Sequence, residues 1–388
     1  MTKAELKAEV NKQLEQQRQK LIELSLKIHA NPELAFKEEK ASSWLTSYLA
    51  KNGFQVEDGI GGLSTAFKAS YGTNNPVIAL LAEYDALPEI GHACGHNIIA
   101  ASAVGAAVAT RCIVDNCGGT VVVLGTPAEE LIGGKVLMLK AGVFDGIDAA
   151  MIVHPGIRNA SATEALACIG LDVQFLGKAV HAAAYPEQGI NALEAMILAF
   201  NALNSLRQHI KDRARIHGVI THGGEAANVV PAYSAATFLV RATDNAYLDE
   251  LKQKVLNCFE GAALATGARL DYRWGETVYA PMKNNMVLAQ LFARNLESLG
   301  RRVDPFESHF GFGSTDVGNV SQVVPAIHPS VAIASSDVLL HSSEFVLAAA
   351  SDSGHGGLLD AAKALAMTVV DLLNEPQALA KVKDEFSS

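Results

Sequence analysis

Cysteine is scarce in this chain and carries no pairing pattern. Cys94, Cys112, Cys117, Cys168 and Cys258 are an odd set among 388 residues, with no C-x-x-C spacing. Such usage argues against a disulfide framework and for reduced thiols, most of them small buried hydrophobes. A basic stripe is also missing: Lys plus Arg number 31 against 41 Asp plus Glu, a net charge of −10. With no cationic patch interleaved with aromatics, phosphate backbones are repelled, and nucleic acid is not an expected partner. Apolar stretches such as Ile98 to Thr110 read as too short to span a bilayer, and the opening MTKAELKAEVNKQLEQQRQK is charged and amphipathic, without a signal-peptide core. The expectation is a cytoplasmic protein with no membrane partner. Internal repeats and low-complexity segments are absent.

What is present is an ordinary globular composition, 49% apolar and 19% charged, rich enough in aliphatic residues for substantial cores. Its length exceeds what one core usually serves, so two domains are expected. Helical patterns cover residues 4–29 and 38–52. The continuous apolar runs 76–82, 120–125 and 149–153 read as strands buried on both faces of a sheet. Each of the three ends in polar residues: Glu83 and Asp85, then Glu129 and Glu130, then His154. Sites gather where strands of an open α/β sheet end on one edge.

Between residues 167 and 277 the rhythm becomes strand, helix, strand, strand, helix, strand, the split β-α-β-β-α-β order of a ferredoxin-like unit. Helices over 284–299 and 356–374 then restore the earlier pattern. The expected fold class is therefore α/β. A discontinuous catalytic domain (1–166 and 278–388), with a mixed sheet flanked by helices, is interrupted by an inserted α+β lid or dimerisation domain (167–277).

Ala93-Cys94-Gly95-His96-Asn97, the adjacent Glu129-Glu130 and His154-Pro155 carry the chemistry. Thiolate, imidazole and carboxylate together suit a transition metal, and a spare carboxylate suits the proton transfer of metal-assisted hydrolysis. Adjacent ionised carboxylates repel unless a cation or proton intervenes, so one of the pair can ligate while the other serves as general base. His341 and His355 are both candidates to complete the ligand set. A thiol enzyme built on Cys94 and a histidine base uses the same residue types.

These residues resemble the aminoacylase and carboxypeptidase G family of metallopeptidases and amidohydrolases, the M20 family, in its branch of aminobenzoyl-glutamate and indole-acetyl-amino-acid hydrolases. The similarity runs from about Ile28 to the end of the chain. It passes through Asn31-Pro32-Glu33-Leu34, Glu83-Tyr84-Asp85-Ala86-Leu87-Pro88, His92-Ala93-Cys94-Gly95-His96, Pro127-Ala128-Glu129-Glu130, Gly177-Lys178-Ala179-Val180-His181 and Asn228-Val229-Val230-Pro231.

The resemblance implies that Cys94, His96, Glu130, His154 and His341 ligate two divalent metal ions, zinc or manganese, with the Cys94 sulfur bridging. It makes Glu129 the general base that moves a proton from the attacking water to the leaving amine. His341 is preferred over His355 because Leu340 to Phe345 echoes a His-Ser-Pro-x-Phe-like segment, with Ser343 in place of the proline. His181 would stabilise the oxyanion in the site of a second subunit of a homodimer, Asn228 and Arg241 would contact substrate, and Asp85 would orient a ligand. Many members of the branch carry Asp where this chain has Asn97; the Asn form is more similar to the aminobenzoyl-glutamate hydrolase and dipeptidase-like members. The implied activity is hydrolysis of an amide bond in a small N-acyl amino acid, an aminobenzoyl-glutamate-like compound or a dipeptide bearing a carboxylate. The competing expectation is a non-catalytic ligand-binding homologue, which damaged ligand positions would mark.

Overall fold

The computed structural model describes residues 1–305 and 313–388. Its strands are β1 (Gln55–Asp58), β2 (Phe67–Gly72), β3 (Val77–Ala82), β4 (Thr120–Gly125), β5 (Ala149–Met151) and β6 (His154–Gly156). They are followed by β7 (Ala167–Leu176), β8 (Arg215–His222), β9 (Tyr233–Ala242) and β10 (Arg269–Trp274), then by β11 (Ala326–Ile327) and β12 (Ser330–Ala332). Two compact units result. One comprises Met1–Glu164 with the described residues of 282–311 and Thr315–Ser388; the other comprises Ala165–Pro281 with residues 313 and 314.

The first unit is built on a six-stranded mixed sheet in the order β1-β2-β4-β3-β5-β11. The central strands β4, β3 and β5 run parallel, while β2 joins β4 antiparallel. All six residues of β4 are buried, as a strand covered on both faces requires. The apolar run expected as one strand over 149–153 divides: β5 stops at Met151, and β6 pairs instead with β12, Ser330 opposite His154. Pro155 lacks an amide donor, which limits how far this segment can sit inside a ladder.

Helix His96–Ala109 is buried at every residue and packs between helices Lys3–His29 and Asp352–Asn374 and against β3. Its Ala and Gly content permits the close approach; a Cβ on Gly105 would lie 2.7 Å from a Leu21 methyl. Helix continues over Arg111–Cys117, so residues 96–117, longer than the apolar run read from sequence, are long and apolar enough by length and composition to cross a membrane. Here their first part, His96–Ala109, is buried at every residue and belongs to the core.

In the inserted unit the order is β10-β7-β9-β8, every pair antiparallel. Helices Ala192–Leu206 and Asn245–Thr266 pack on one face through a core that includes Phe175, Phe238, Val240, Leu251 and Phe259. Asn191 and Asp244 cap them, each side chain accepting from first-turn amides. This is the ferredoxin-like arrangement. Helices Gly134–Lys140 and Ser343–Ala349, of seven residues each, are too short to show a periodicity in sequence, and Pro376–Ser387 is a further helix beyond the sequence reading.

Candidate metal centre

The strand ends deliver the side chains. After β3 the chain passes through buried Glu83, Tyr84 and Asp85 into a loop that returns at Cys94. Gly95, at φ +78, turns that loop into the helix starting at His96. A Cβ there would lie 2.5 Å from Pro155 Cγ, so only glycine fits. β4 leads through Ala128, at φ +62, to Glu129 and Glu130, and β6 opens with His154. His341 is held by its amide, which donates to the Ala93 carbonyl at 3.0 Å.

Ligating atoms of Cys94, His96 and His154 lie within 4.8 Å of one another, as do those of Cys94, Glu130 and His341. The two triads share Cys94. A third group joins His96 to both Glu129 and Glu130. Individual separations are 3.3 Å from Cys94 Sγ to His154 Nε2, 3.8 Å from His96 Nε2 to Glu130 Oε1 and 3.5 Å from His341 Nε2 to Glu130 Oε1. His355 lies in helix Asp352–Asn374, 3.8 Å from Asp352, and joins none of these groups among the described residues.

Hydrogen bonds set the histidines for ligation through Nε2. His96 Nδ1 faces the Asp85 carboxylate at 3.0 Å and carbonyl at 2.9 Å, and His154 Nδ1 faces the Pro155 carbonyl at 2.6 Å. Each Nδ1–H is spent on an oxygen, leaving Nε2 as the lone-pair nitrogen, the arrangement that orients metal-binding imidazoles. The other Asp85 oxygen accepts from the Glu130 amide at 3.0 Å, so one carboxylate fixes two ligand positions. His96 Nε2 and Glu130 Oε1 are buried with no hydrogen-bond partner among the described residues, and the donor set is sulfur, imidazole nitrogen and carboxylate oxygen. Residues of this kind fit a divalent cation pair.

The electrostatics agree. Burial raises the Glu129 carboxyl well above the usual range, and Glu83, Asp316 and Glu130 add to the rise. Burial opposes ionisation of Glu130, yet His341 and then His96 hold it low. Burial alone would depress His96, but Asp85 more than offsets it and the imidazole gains basicity. The Cys94 thiol is pushed up by burial and then by Glu130. A thiol nucleophile needs the opposite shift.

Beneath Glu129 lies a network missed from sequence. The Lys135 ammonium, fully buried, contacts Glu83 at 2.6 Å and Asp316 at 2.8 Å, and the two carboxylates group with that of Glu129. A lysine inside the apolar run Lys135 to Leu139 was the available signal.

In the inserted unit the two Gly-containing segments zip together: Ala182 donates to the Asn228 carbonyl and Val230 to that of Val180, each at 3.0 Å. Exposed His181 accepts from the Ala183 and Ala184 amides through Nδ1, at 3.3 and 3.2 Å, so its Nε2–H points away as a donor. Arg241 is at the other end of β9, roughly 26 Å from Tyr233 at about 3.3 Å per residue. There it donates to Ser314 Oγ at 2.9 Å, opposite Cys168 and Arg215 in the ladder. The unit thus brings His181 and Asn228 together and sets Arg241 apart.

Residues 167–266 match the peptidase dimerisation domain of M20 proteins. Xaa-Arg dipeptidase from Mus musculus is 38% identical over 98% of this chain and 92% of its own length. The chain belongs to the M20 family. A p-aminobenzoyl-glutamate hydrolase polypeptide from Escherichia coli is 31% identical over 96% of the chain and 93% of its own length. A dinuclear metal-binding M20 peptidase from Bacillus subtilis shares the fold with a TM-score of 0.70 at 21% identity, covering 92% of this chain and 98% of that one. An aminobenzoyl-glutamate utilization protein from Klebsiella pneumoniae gives 0.71 at 19% identity, covering 93% and 98%. As a member of this family the chain is a hydrolase of amide bonds, carrying a dimerisation domain inserted into its catalytic domain.

Proposed function

We propose that this M20 hydrolase cleaves the amide bond of a small N-acyl amino acid, an aminobenzoyl-glutamate-like compound or a dipeptide bearing a free carboxylate. Cys94, His96, Glu130, His154 and His341 hold two divalent cations, zinc or manganese. The observation that carries this reading is the pair of ligand triads sharing Cys94, with the Glu129 carboxyl grouped beside them. Every ligand position is filled by a competent donor, which weighs against a non-catalytic homologue.

Bound there, the cations supply Lewis acidity that polarises the scissile carbonyl and acidifies water. Glu129, made more basic by burial and by its carboxylate neighbours, accepts the proton of the attacking water and passes it to the leaving amine. His181 donates its Nε2–H to the developing oxyanion. The Arg241 guanidinium takes the substrate carboxylate through paired hydrogen bonds, and Asn228 adds a polar contact. The separation of Arg241 from His181 and Asn228 along one sheet supports a homodimer in which the two ends come from different copies. The substrates in the relatives' names, Xaa-Arg dipeptides and p-aminobenzoyl-glutamate, bound the leaving group: both release an α-amino acid. A cytoplasmic setting suits the five free thiols.

The test is a screen of metal-reconstituted protein against N-acyl amino acids, aminobenzoyl-glutamate and dipeptides. Turnover that chelator abolishes and zinc or manganese restores is expected. Turnover that survives removal of all bound metal, or a chain that retains no zinc or manganese after reconstitution, refutes the reading.

A further inference from the structure

The Asn31-Pro32-Glu33-Leu34 motif supplies no ligand and no reacting group, yet the segment it opens reaches the centre. Glu33 caps helix Glu39–Lys51: its carboxylate accepts from the Lys40 amide at 3.1 and 3.0 Å and from the Ala41 amide at 3.0 Å. Its carbonyl accepts from the Ala86 amide at 2.8 Å, beside Asp85. Because Glu33 does the capping, Glu38, which stands at the N-cap position, makes no cap bond with its side chain. That side chain turns inward and is fully buried. One oxygen accepts from the Ala128 amide and the other from the Thr65 hydroxyl, both at 2.9 Å. Thr65 is fixed in turn by Tyr84, whose hydroxyl donates to its carbonyl at 2.6 Å.

Ala128 is the residue this brace most needs to hold. At φ +62 it occupies the left-handed region, which non-glycine residues adopt only when their surroundings over-determine it. Its carbonyl accepts from the Gly133 amide at 2.9 Å and the Gly134 amide at 3.2 Å. Two residues on, the Glu130 amide is tied to Asp85. The Glu129-Glu130 pair is thus suspended between two buried carboxylates, Glu38 before it and Asp85 after it.

We propose that Glu38 is a positioning residue for the hydrolytic reaction: by gripping the left-handed Ala128 amide from inside the core, it aims the Glu129 and Glu130 carboxylates. The assignment rests on the roles given to those two residues above. It touches neither substrate nor metal, so its effect passes wholly through the geometry of the loop. Displacing a reacting group by about 1 Å can cost 100-fold in rate.

Three variants separate position from charge and from folding. Glu38→Gln keeps a carbonyl oxygen for the Ala128 amide and an amide for the Thr65 hydroxyl. Glu38→Asp keeps the charge but withdraws it by one methylene, and Glu38→Ala removes the grip. With metal saturating, kcat should fall about 100-fold in the Asp and Ala forms, with KM within about threefold, and Gln should recover to within about tenfold of the parent. Hydrogen exchange over residues 126–131 in the metal-free chain should quicken in Asp and Ala and stay protected in Gln. The proposal is overturned if Asp restores what Gln does not, or if the Ala form lowers only the melting temperature while kcat and exchange match the parent. Should the parent cleave none of the screened amides, the functional reading fails. Exchange over 126–131 and the zinc dissociation constant of each variant would still decide the role of Glu38.

Discussion

Replacing Lys135 with methionine removes a cation buried beneath the centre and leaves its two carboxylate partners in place. The ammonium lies 2.6 Å from Glu83 and 2.8 Å from Asp316, all three side chains at most 1% exposed. Breaking a buried ion pair from one side costs about 3–5 kcal/mol, a large share of the roughly 5–15 kcal/mol that holds a typical domain together. The loss carries a pH signature. In the parent, burial opposes ionisation of Glu83 but Lys135, and then His96, hold its folded pKa below the usual range. It therefore contributes stability above its unfolded value that disappears as pH falls through the folded one. Without Lys135, desolvation lifts Glu83 and lifts Asp316 further, so the variant's stability falls as pH rises. The gap between the two proteins should be widest at pH 8 and narrow toward pH 5. Urea unfolding of the metal-free chain measures it. The only tryptophans are Trp44 and Trp274, so a Trp274→Phe background reports on the catalytic unit alone. Adding Asp316→Asn should recover part of the loss, since one stranded carboxylate is then gone. A Lys135→Met cost under about 1 kcal/mol at pH 8, or one equal at pH 5 and pH 8, would refute the reasoning.

Glu129→Gln should lower turnover by about 10²–10⁴-fold with two metals per chain retained by mass spectrometry, whereas Glu130→Gln should lose metal. Glu38 offers a second pH test. Burial pushes its carboxyl from 4.5 up to about 7, with Asp85 adding and the Thr65 hydrogen bond offsetting. The fold binds that proton more tightly than the unfolded chain, so stability falls as pH rises between those values and is flat above, a change of at most roughly 3 kcal/mol. In Glu38→Gln that slope should vanish, so the variant gains on the parent from pH 4.5 to pH 8 in the same urea melts; a constant difference across the range would count against a buried, protonatable Glu38.

The residues legible in the sequence were those whose chemistry is written in their type. Cys94, His96, Glu129, Glu130 and His154 stood out because soft or charged donors followed apolar runs, and each run formed a strand, in full or, for 149–153, over its first three residues. The inserted unit was legible because its β-α-β-β-α-β rhythm is local: the expected order is the one found, β7, helix Ala192–Leu206, β8, β9, helix Asn245–Thr266 and β10. The supporting network was not legible, because its contacts span the chain. Glu38 reads as a helix-start glutamate until Glu33 is seen to cap that helix, and 90 residues separate it from the Ala128 amide it grips. Lys135 meets Asp316 across 181 residues, a distance over which no spacing rule operates. The extent of the helix over residues 96–117 was only partly legible: the apolar run marks its buried first part, His96–Ala109, but not its continuation over Arg111–Cys117.

The protonation of the centre gives its own measure of what it is built to hold. With only protons available, His96 becomes more basic through Asp85, Cys94 is kept as a thiol by burial and Glu130, and His341 is raised by the Glu130 carboxylate 3.5 Å away. Each is a site where excess negative charge is balanced by a proton. A ligating thiolate or imidazole must give that proton up, so cation binding and proton release are one event. At pH 7, zinc binding to the metal-free chain should expel about two protons, one from Cys94 and one from His96, with His341 adding a fraction at lower pH. Calorimetry in buffers of different ionisation enthalpy reads that number directly, and the apparent affinity should climb with pH at a matching slope. Cys94→Ser should remove about one proton from the count. Zinc that binds without expelling protons would mean that Cys94 and His96 do not ligate it, and the paired triads would lose their meaning as a metal site.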